Sequence, residues 1–192
     1  MLLGPPYARV AFPLAGLLLV LDQISKWWIT EIMIKPLVTP ANEAATAMPF
    51  LNWLFSAGDR FPFAQIEVLP FFNLVMVWNR GVSFGLFSQG HDYGPAILTI
   101  VSLLIMTAFA VWLVRAKSAW LATGLTLVIG GAAGNVIDRV RFGAVIDFLD
   151  VHVAGFHWPA FNVADSCISI GIALILIDGL FLEPKRNKGV SQ

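Results

Sequence analysis

Two aspartates stand where carboxylate chemistry is possible. Asp138 follows the uncharged run Ser118–Ile137, and Asp165 lies near the start of another apolar run, from about Asn162 to Leu182. If these runs are antiparallel neighbours in a membrane, both carboxylates reach the same depth near one face. Two carboxylates a few ångströms apart do not both ionise easily, so they share a proton. The ionised partner takes a proton from water and the protonated partner gives one to a carbonyl oxygen. That is peptide hydrolysis with neither a covalent intermediate nor a metal. Each residue also has a plainer reading. With Asn162 as N-cap, Asp165 falls at N3, where a carboxylate suits the helix dipole. Asp138 at a helix C-terminus faces the negative end of the dipole, a placement that only Arg139 and Arg141 offset.

Other polar residues call for an account. Asp22 and Lys26 lie four apart in an apolar run and can pair on one helix face. Ionisable residues within spans are costly, so the pair is either a structural ion pair or a group that supports or faces a substrate. Cys167 carries no nucleophile signature and reads as a small core residue. His91, His152 and His157 make no metal-ligand spacing, and His152 and His157 flank an expected turn. Asp178 reads as a boundary residue facing solvent or Lys185. The run Gly130-Gly131-Ala132-Ala133-Gly134 has no phosphate-loop continuation and reads as a small-residue packing surface.

Such residues need membrane-spanning elements to hold them, and the composition supplies these. The 192 residues carry 12 basic and 12 acidic side chains, a net charge of zero, with 58% hydrophobic and only 12% charged residues. The mean hydropathy is +0.78. This excludes an ordinary soluble domain and a disordered chain. It gives no basic excess for nucleic acid, so no nucleic-acid partner is expected. One cysteine excludes an intramolecular disulfide framework. The expected fold is a mainly α membrane protein, a single integral domain over 1–192. Four transmembrane helices are expected at about 10–34, 95–114, 118–137 and 162–182. No small-residue cleavage pattern follows the first, so it is read as uncleaved.

Short-loop charges set the expected orientation. Residues 1–9, 115–117 and 183–192 hold 6 basic residues in 22, against 5 in 84 for 35–94 and 138–161. Both termini should therefore be cytoplasmic, and segments 35–94 and 138–161 should face the periplasm. Ile66–Trp78, Val82–Phe87 and Gly143–His152 read as strands of a small outer sheet. Met48–Phe55 is apolar and too short to span, so it is expected in the headgroup layer with Trp53 as an anchor. Gly81 and Gly85 give backbone freedom to a roof over the site.

Several ordered blocks resemble those of the signal peptidase II family, membrane aspartyl peptidases of family A8 that process lipoproteins. Asp22-Gln23-Ile24-Ser25-Lys26 resembles its DQxxK block, and Asn79-Arg80-Gly81-Val82-Ser83-Phe84-Gly85 its N-x-G-x-x-F segment. Gly134–Arg139 followed by Gly143–Phe148 is similar to its G-N-x-x-D-R…G-x-V-x-D-F block, and Phe161–Asp165 to its F-N-x-A-D block. The resemblance implies Asp138 and Asp165 as the catalytic pair. It implies Asn79, Gly81, Asn135, Arg139, Asn162, Ala164 and Asp147 as substrate-binding or supporting residues, with Asp22 and Lys26 on a supporting first helix. It implies prolipoprotein substrates bearing a diacylglyceryl cysteine, cleaved N-terminal to that cysteine in the inner membrane. Membrane lipids are the other expected partners, and a monomer with no cofactor or metal is expected. Pro36–Ala64 is long for the family's link between the first helix and the first strand. The competing reading is a small ion- or proton-coupled transporter using intramembrane Asp and Lys residues.

Overall fold

The computed structural model describes residues 6–56, 58, 60–81 and 93–184. The expected strand Val82–Phe87, with Gly85 and the roof it would form, lies outside these residues. So do His91, Lys185, Arg186 and Lys188.

Four helices are long and apolar enough to cross a membrane, and the protein is multi-pass. Helix α1 (Pro6–Trp27) continues through a π-helical stretch, Trp28–Ile34, and the short α2 (Lys35–Val38). Helices α4 (Gly94–Val114) and α5 (Ala119–Phe142) form a hairpin across Arg115–Ser118, with Ser118 capping α5. Helix α6 (Val163–Ile177) runs on into a second π-helical turn, Asp178–Leu182. Helix α5 is the hub, packed against α1, α4 and α6. Small residues allow this. A Cβ added to Gly124 would stand 2.8 Å from the Gly171 carbonyl oxygen, and one on Gly171 would stand 2.6 Å from that of Gly124. The glycine-rich face of α5 is thus a packing surface, as its composition predicts.

Helix α5 extends five residues beyond the expected Ile137. It ends at Gly143, whose φ of +64° is the left-handed geometry glycine supplies at a helix C-terminus. Asp138 therefore lies one turn inside the helix, and the chain then reverses directly into β3 (Val145–Val153).

Among the described residues, the sheet has four antiparallel strands in the order β1-β2-β3-β4. The run Ile66–Trp78 is not one strand but a hairpin, β1 (Gln65–Leu69) and β2 (Phe72–Asn79), turning at Pro70-Phe71. Proline donates no backbone hydrogen bond, which suits a turn. β3 pairs with β2 and, across Ala154-Gly155, with the short β4 (Phe156–His157). Met48–Phe55 contains helix α3 (Phe50–Phe55). Trp53 is not an interfacial anchor: it is 4% exposed and packs with Ile29, Ile34, Met76, Phe142, Ile146 and Phe148 beneath the sheet. Leu51 and Phe55 instead face outward.

Two further expectations change. Asp178 is buried and accepts the Ser118 hydroxyl at 2.7 Å, so it ties α6 to the start of α5 and is not a solvent-facing boundary residue. His152 and His157 stack across strands at 4.7 Å, with the His157 Nδ1 2.9 Å from Asp150. In this setting Asp150 is held below the usual carboxylate range: the Asn73 amide and then His157 outweigh its burial.

Candidate active site

The site lies where the C-terminal parts of α1 and α5 and the start of α6 meet β2 and β3. Its floor is a buried cluster of two carboxylates and one ammonium. The Lys26 Nζ sits 2.8 Å from Asp22 Oδ2 and 2.7 Å from Asp138 Oδ2, and donates to Asn135 Oδ1 at 3.2 Å. An ammonium has three donors, and all three are used. Lys26 and Asp138 are 0% exposed and Asp22 is 1% exposed. The Gln23 amide nitrogen lies between the carboxylates, 3.2 Å from Asp22 Oδ2 and 3.0 Å from Asp138 Oδ1. Gly134 leaves the room: a Cβ there would come 3.0 Å from the Asp22 Cγ.

The expected pair on one helix face is thus a three-residue cluster, and it captures the backbone that follows. Asp138 Oδ2 accepts the Ile146 amide at 3.2 Å. Asp22 Oδ1 accepts the Ala164 amide at 3.0 Å. Ile146 immediately precedes Asp147, and Ala164 immediately precedes Asp165. Each floor carboxylate therefore grips the residue before one of the two aspartates above it.

The structure gives Asp138 partners other than Asp165. Both Asp138 oxygens are occupied by Lys26, Gln23 and Ile146, and the side chain is sealed from solvent. Asp147 is a carboxylate in electrostatic range of Asp165. Burial first, and then the charge of Asp165, push Asp147 up to about 7. Its oxygens accept the Asn162 amide at 2.8 Å and the Asn79 amide at 2.9 Å. Asp165 is half-buried and closes a capping box with Asn162. It accepts the Asn162 backbone N–H at 3.2 Å and the Asn135 side-chain amide at 2.7 Å. The capping account of Asp165 therefore holds alongside its place in the pair.

The remaining expected residues converge here. Asn162 also donates to Asn135 at 3.2 Å and to the Ile146 carbonyl at 3.1 Å, joining both layers. Gly81, with φ +75°, donates its N–H to Asn79 Oδ1 at 2.7 Å and so turns the Asn79 amide nitrogen toward Asp147. Arg139 is in electrostatic range of Asp165, Asp138 and Asp147, and its buried Nε has no hydrogen-bond partner. Two open clefts flank the aspartates. One, of ≈ 480 Å³, is lined by Asp165, Ser166, Ser169, Ile170 and the Trp158–Phe161 loop. The other, of ≈ 460 Å³, lies between α4 and α5 and carries Arg60 and Arg139. Among the described residues, no three His, Cys, Asp or Glu side chains converge to hold a metal ion.

Sequence reasoning gave Arg141 only the part of offsetting the helix dipole near Asp138, and gave Gln23 no part beyond its place in the DQxxK block. It also missed that Ala164 contributes through its backbone amide, which carries no sequence signal.

A carboxylate pair at the mouth of a four-helix membrane bundle, under a small sheet, defines the class as a polytopic membrane peptidase. The comparisons agree: the family described as Signal peptidase (SPase) II matches residues 14–181, and the chain belongs to that family. It is 40% identical over 153 residues to a lipoprotein signal peptidase of Methylorubrum extorquens (strain PA1), covering 80% of this chain and 87% of that one. It is 38% identical over 178 residues to the lipoprotein signal peptidase of Caulobacter vibrioides, covering 92% and 90%. A solved bacterial membrane enzyme superposes with a TM-score of 0.65 at 26% identity, over 90% of this chain and 94% of that one. These relationships do not favour the transporter reading.

Proposed function

We propose that this chain is an aspartyl endopeptidase. It removes the signal peptide from diacylglyceryl-modified prolipoproteins, cleaving N-terminal to the lipidated cysteine, with Asp147 and Asp165 as the catalytic pair. The observation that carries this reading is the buried Asp147 carboxyl, held up to about 7 beside a second, more open carboxylate. Asp147 takes the role of acid and Asp165 that of base. A water between them gives a proton to Asp165 as its oxygen bonds the scissile carbonyl carbon. Asp147 protonates the carbonyl oxygen. When the C–N bond breaks, Asp165 passes its proton to the departing amine, and the diol hydroxyl returns one to Asp147.

Asp22, Lys26 and Asp138 are the scaffold of this pair. The lysine and arginine distribution favours an inner-membrane protein with both termini cytoplasmic and the site near the periplasmic face. We read the chain as one integral domain working as a monomer. The acyl chains lie against the helices in the bilayer, where each buried methylene contributes about 0.8 kcal/mol.

The test is incubation of purified protein in detergent with a diacylglyceryl-modified prolipoprotein, following release of the signal peptide. Release is expected from the lipidated precursor and far less from the unlipidated one. Equal rates for the two precursors contradict the proposed berth for the lipid.

A further inference from the structure

Arg141 touches three separate parts of the molecule. On α5 it lies almost one turn beyond Asp138. Its Nη1 donates to Gln23 Oε1 at 3.2 Å. Its Nη2 donates to the carbonyls of Trp53 and Ser56 at the end of α3, and its Nε donates to Ser56 at 3.4 Å. The guanidinium carbon stands 4.1 Å from the centre of the Trp53 ring and 4.3 Å from that of Phe142. A guanidinium has donors only, so every group it faces must offer oxygen or a π-face.

That requirement fixes the Gln23 amide. With Oε1 turned to Arg141, Nε2 must face Asp22, Asp138 and the Gly134 carbonyl, at 3.2, 3.0 and 3.3 Å. The opposite amide orientation would set a carbonyl oxygen against two carboxylates. Those same carboxylates hold the amides of Ala164 and Ile146. A continuous polar path therefore runs from α3, through Arg141 and Gln23, to the backbone just before Asp165 and Asp147. Helix α3 is gripped from beneath, while Leu51 and Phe55 on its other side are exposed.

We propose that Arg141 is a positioning residue for the reaction: by seating α3 and orienting Gln23, it sets the spacing of the Asp22 and Asp138 carboxylates and, through them, of the catalytic pair. This rests on the assignment of Asp147 and Asp165 given above. Arg141 touches no substrate in this account. Its loss lowers kcat and leaves KM nearly alone, because the pair is misplaced and the substrate clefts are not.

The experiment uses full-length protein and a lipidated precursor, with Arg141→Leu, Arg141→Lys, Gln23→Leu and the Arg141→Leu/Gln23→Leu double variant. Thermal unfolding is measured alongside, so that kcat refers to folded protein. In Arg141→Leu, kcat should fall by roughly tenfold to a hundredfold, as expected for a sub-ångström to 1 Å misplacement. KM should change by less than about twofold. The upper limb of the kcat–pH profile should move, since Asp147 faces Asp165, Lys26, Arg139, Asn79 and Asn162 and its spacing from Asp165 changes. Arg141→Lys keeps the charge but cannot form the fork, so it should behave like Arg141→Leu; it decides the matter if the leucine variant does not fold. The double variant should be no slower than Gln23→Leu alone.

Normal kcat and an unmoved pH limb in folded Arg141→Lys overturn the proposal, and so does full additivity in the double variant. Asp147→Asn separates this outcome from failure of the underlying assignment. An inactive Asp147→Asn with a normal Arg141→Lys overturns only the positioning role, whereas an active Asp147→Asn overturns the pair itself.

Discussion

The floor and the mouth of the site use the same residue type for opposite ends. At the floor, Asp22 and Asp138 are sealed from solvent around Lys26, and every oxygen has a donor. At the mouth, Asp147 and Asp165 have amide donors but no lysine in contact, and Asp165 opens on a cleft. At the floor two carboxylates share one ammonium in direct contact, which favours their charged forms. At the mouth no ammonium is in contact, and burial beside a second carboxylate favours holding a proton. Charge compensation therefore separates scaffold from chemistry here, and membrane depth does not, since all four aspartates cluster at one end of the bundle.

The comparison breaks most sharply at the mouth. Asp147→Asn and Asp165→Asn should each cut turnover by about 10³-fold or more, because each removes one of two proton-transfer roles. Both should remain folded, with Asp165→Asn costing about 1 kcal/mol for the weakened cap. Signal-peptide release and thermal unfolding on the same samples check both statements.

The floor should answer in stability first. Lys26→Leu leaves two buried carboxylates uncompensated and should cost about 3–5 kcal/mol. Asp138→Asn should also destabilise, while the folded fraction keeps measurable turnover. A double Asp22→Ala, Lys26→Ala variant should be more stable than the worse single; if it is not, the pairing carries no coupling energy.

Much of this arrangement was legible in the residues, and the exception is instructive. Apolar run lengths gave the four spans, and the Asn162–Asp165 spacing gave the capping box seen at α6. Asp22 and Lys26 pair as their i,i+4 spacing implies. Asp138 was chosen for the pair from its place at the end of one expected span, while Asp147 was given only a supporting role. The proposed assignment turns on Lys26, which reaches across from another helix to Asp138, and on the charge of Asp165 acting on Asp147. Neither is visible along one chain. The extension of α5 to Gly143 and the burial of Trp53 likewise depend on tertiary packing that overrides local pattern.

Acidity gives a third, smaller contrast. Asp147 holds its proton in the folded protein up to about pH 7, whereas in the unfolded chain it ionises near its ordinary value of 3.8. The folded state thus binds more protons between these limits. Stability is greatest below the lower limit and falls as pH rises through about 7. The loss is at most about 4 kcal/mol, from roughly three pH units at 1.36 kcal/mol each. Unfolding of wild type and Asp147→Asn across this range should show the slope in the former only. The kcat of the wild type should also fall above about pH 7, as the shared proton leaves.

The smallest effect is expected at Asn79, whose amide favours the ionised form of Asp147. In Asn79→Ala, the upper limb of the activity profile should shift upward by less than about one pH unit. Turnover should drop by about tenfold or less. A downward shift would mean that Asn79 does not act on Asp147.

The most direct test of the scaffold-and-pair division is infrared detection of protonated aspartate across a pH titration. It would be run on wild type, Asp138→Asn and Asp147→Asn in the same detergent. A carboxylic acid C=O band that disappears with a midpoint near pH 7 should be present in the wild type. It should persist in Asp138→Asn and be absent from Asp147→Asn. A band that survives in Asp147→Asn but vanishes in Asp138→Asn would place the shared proton on the floor and contradict the account.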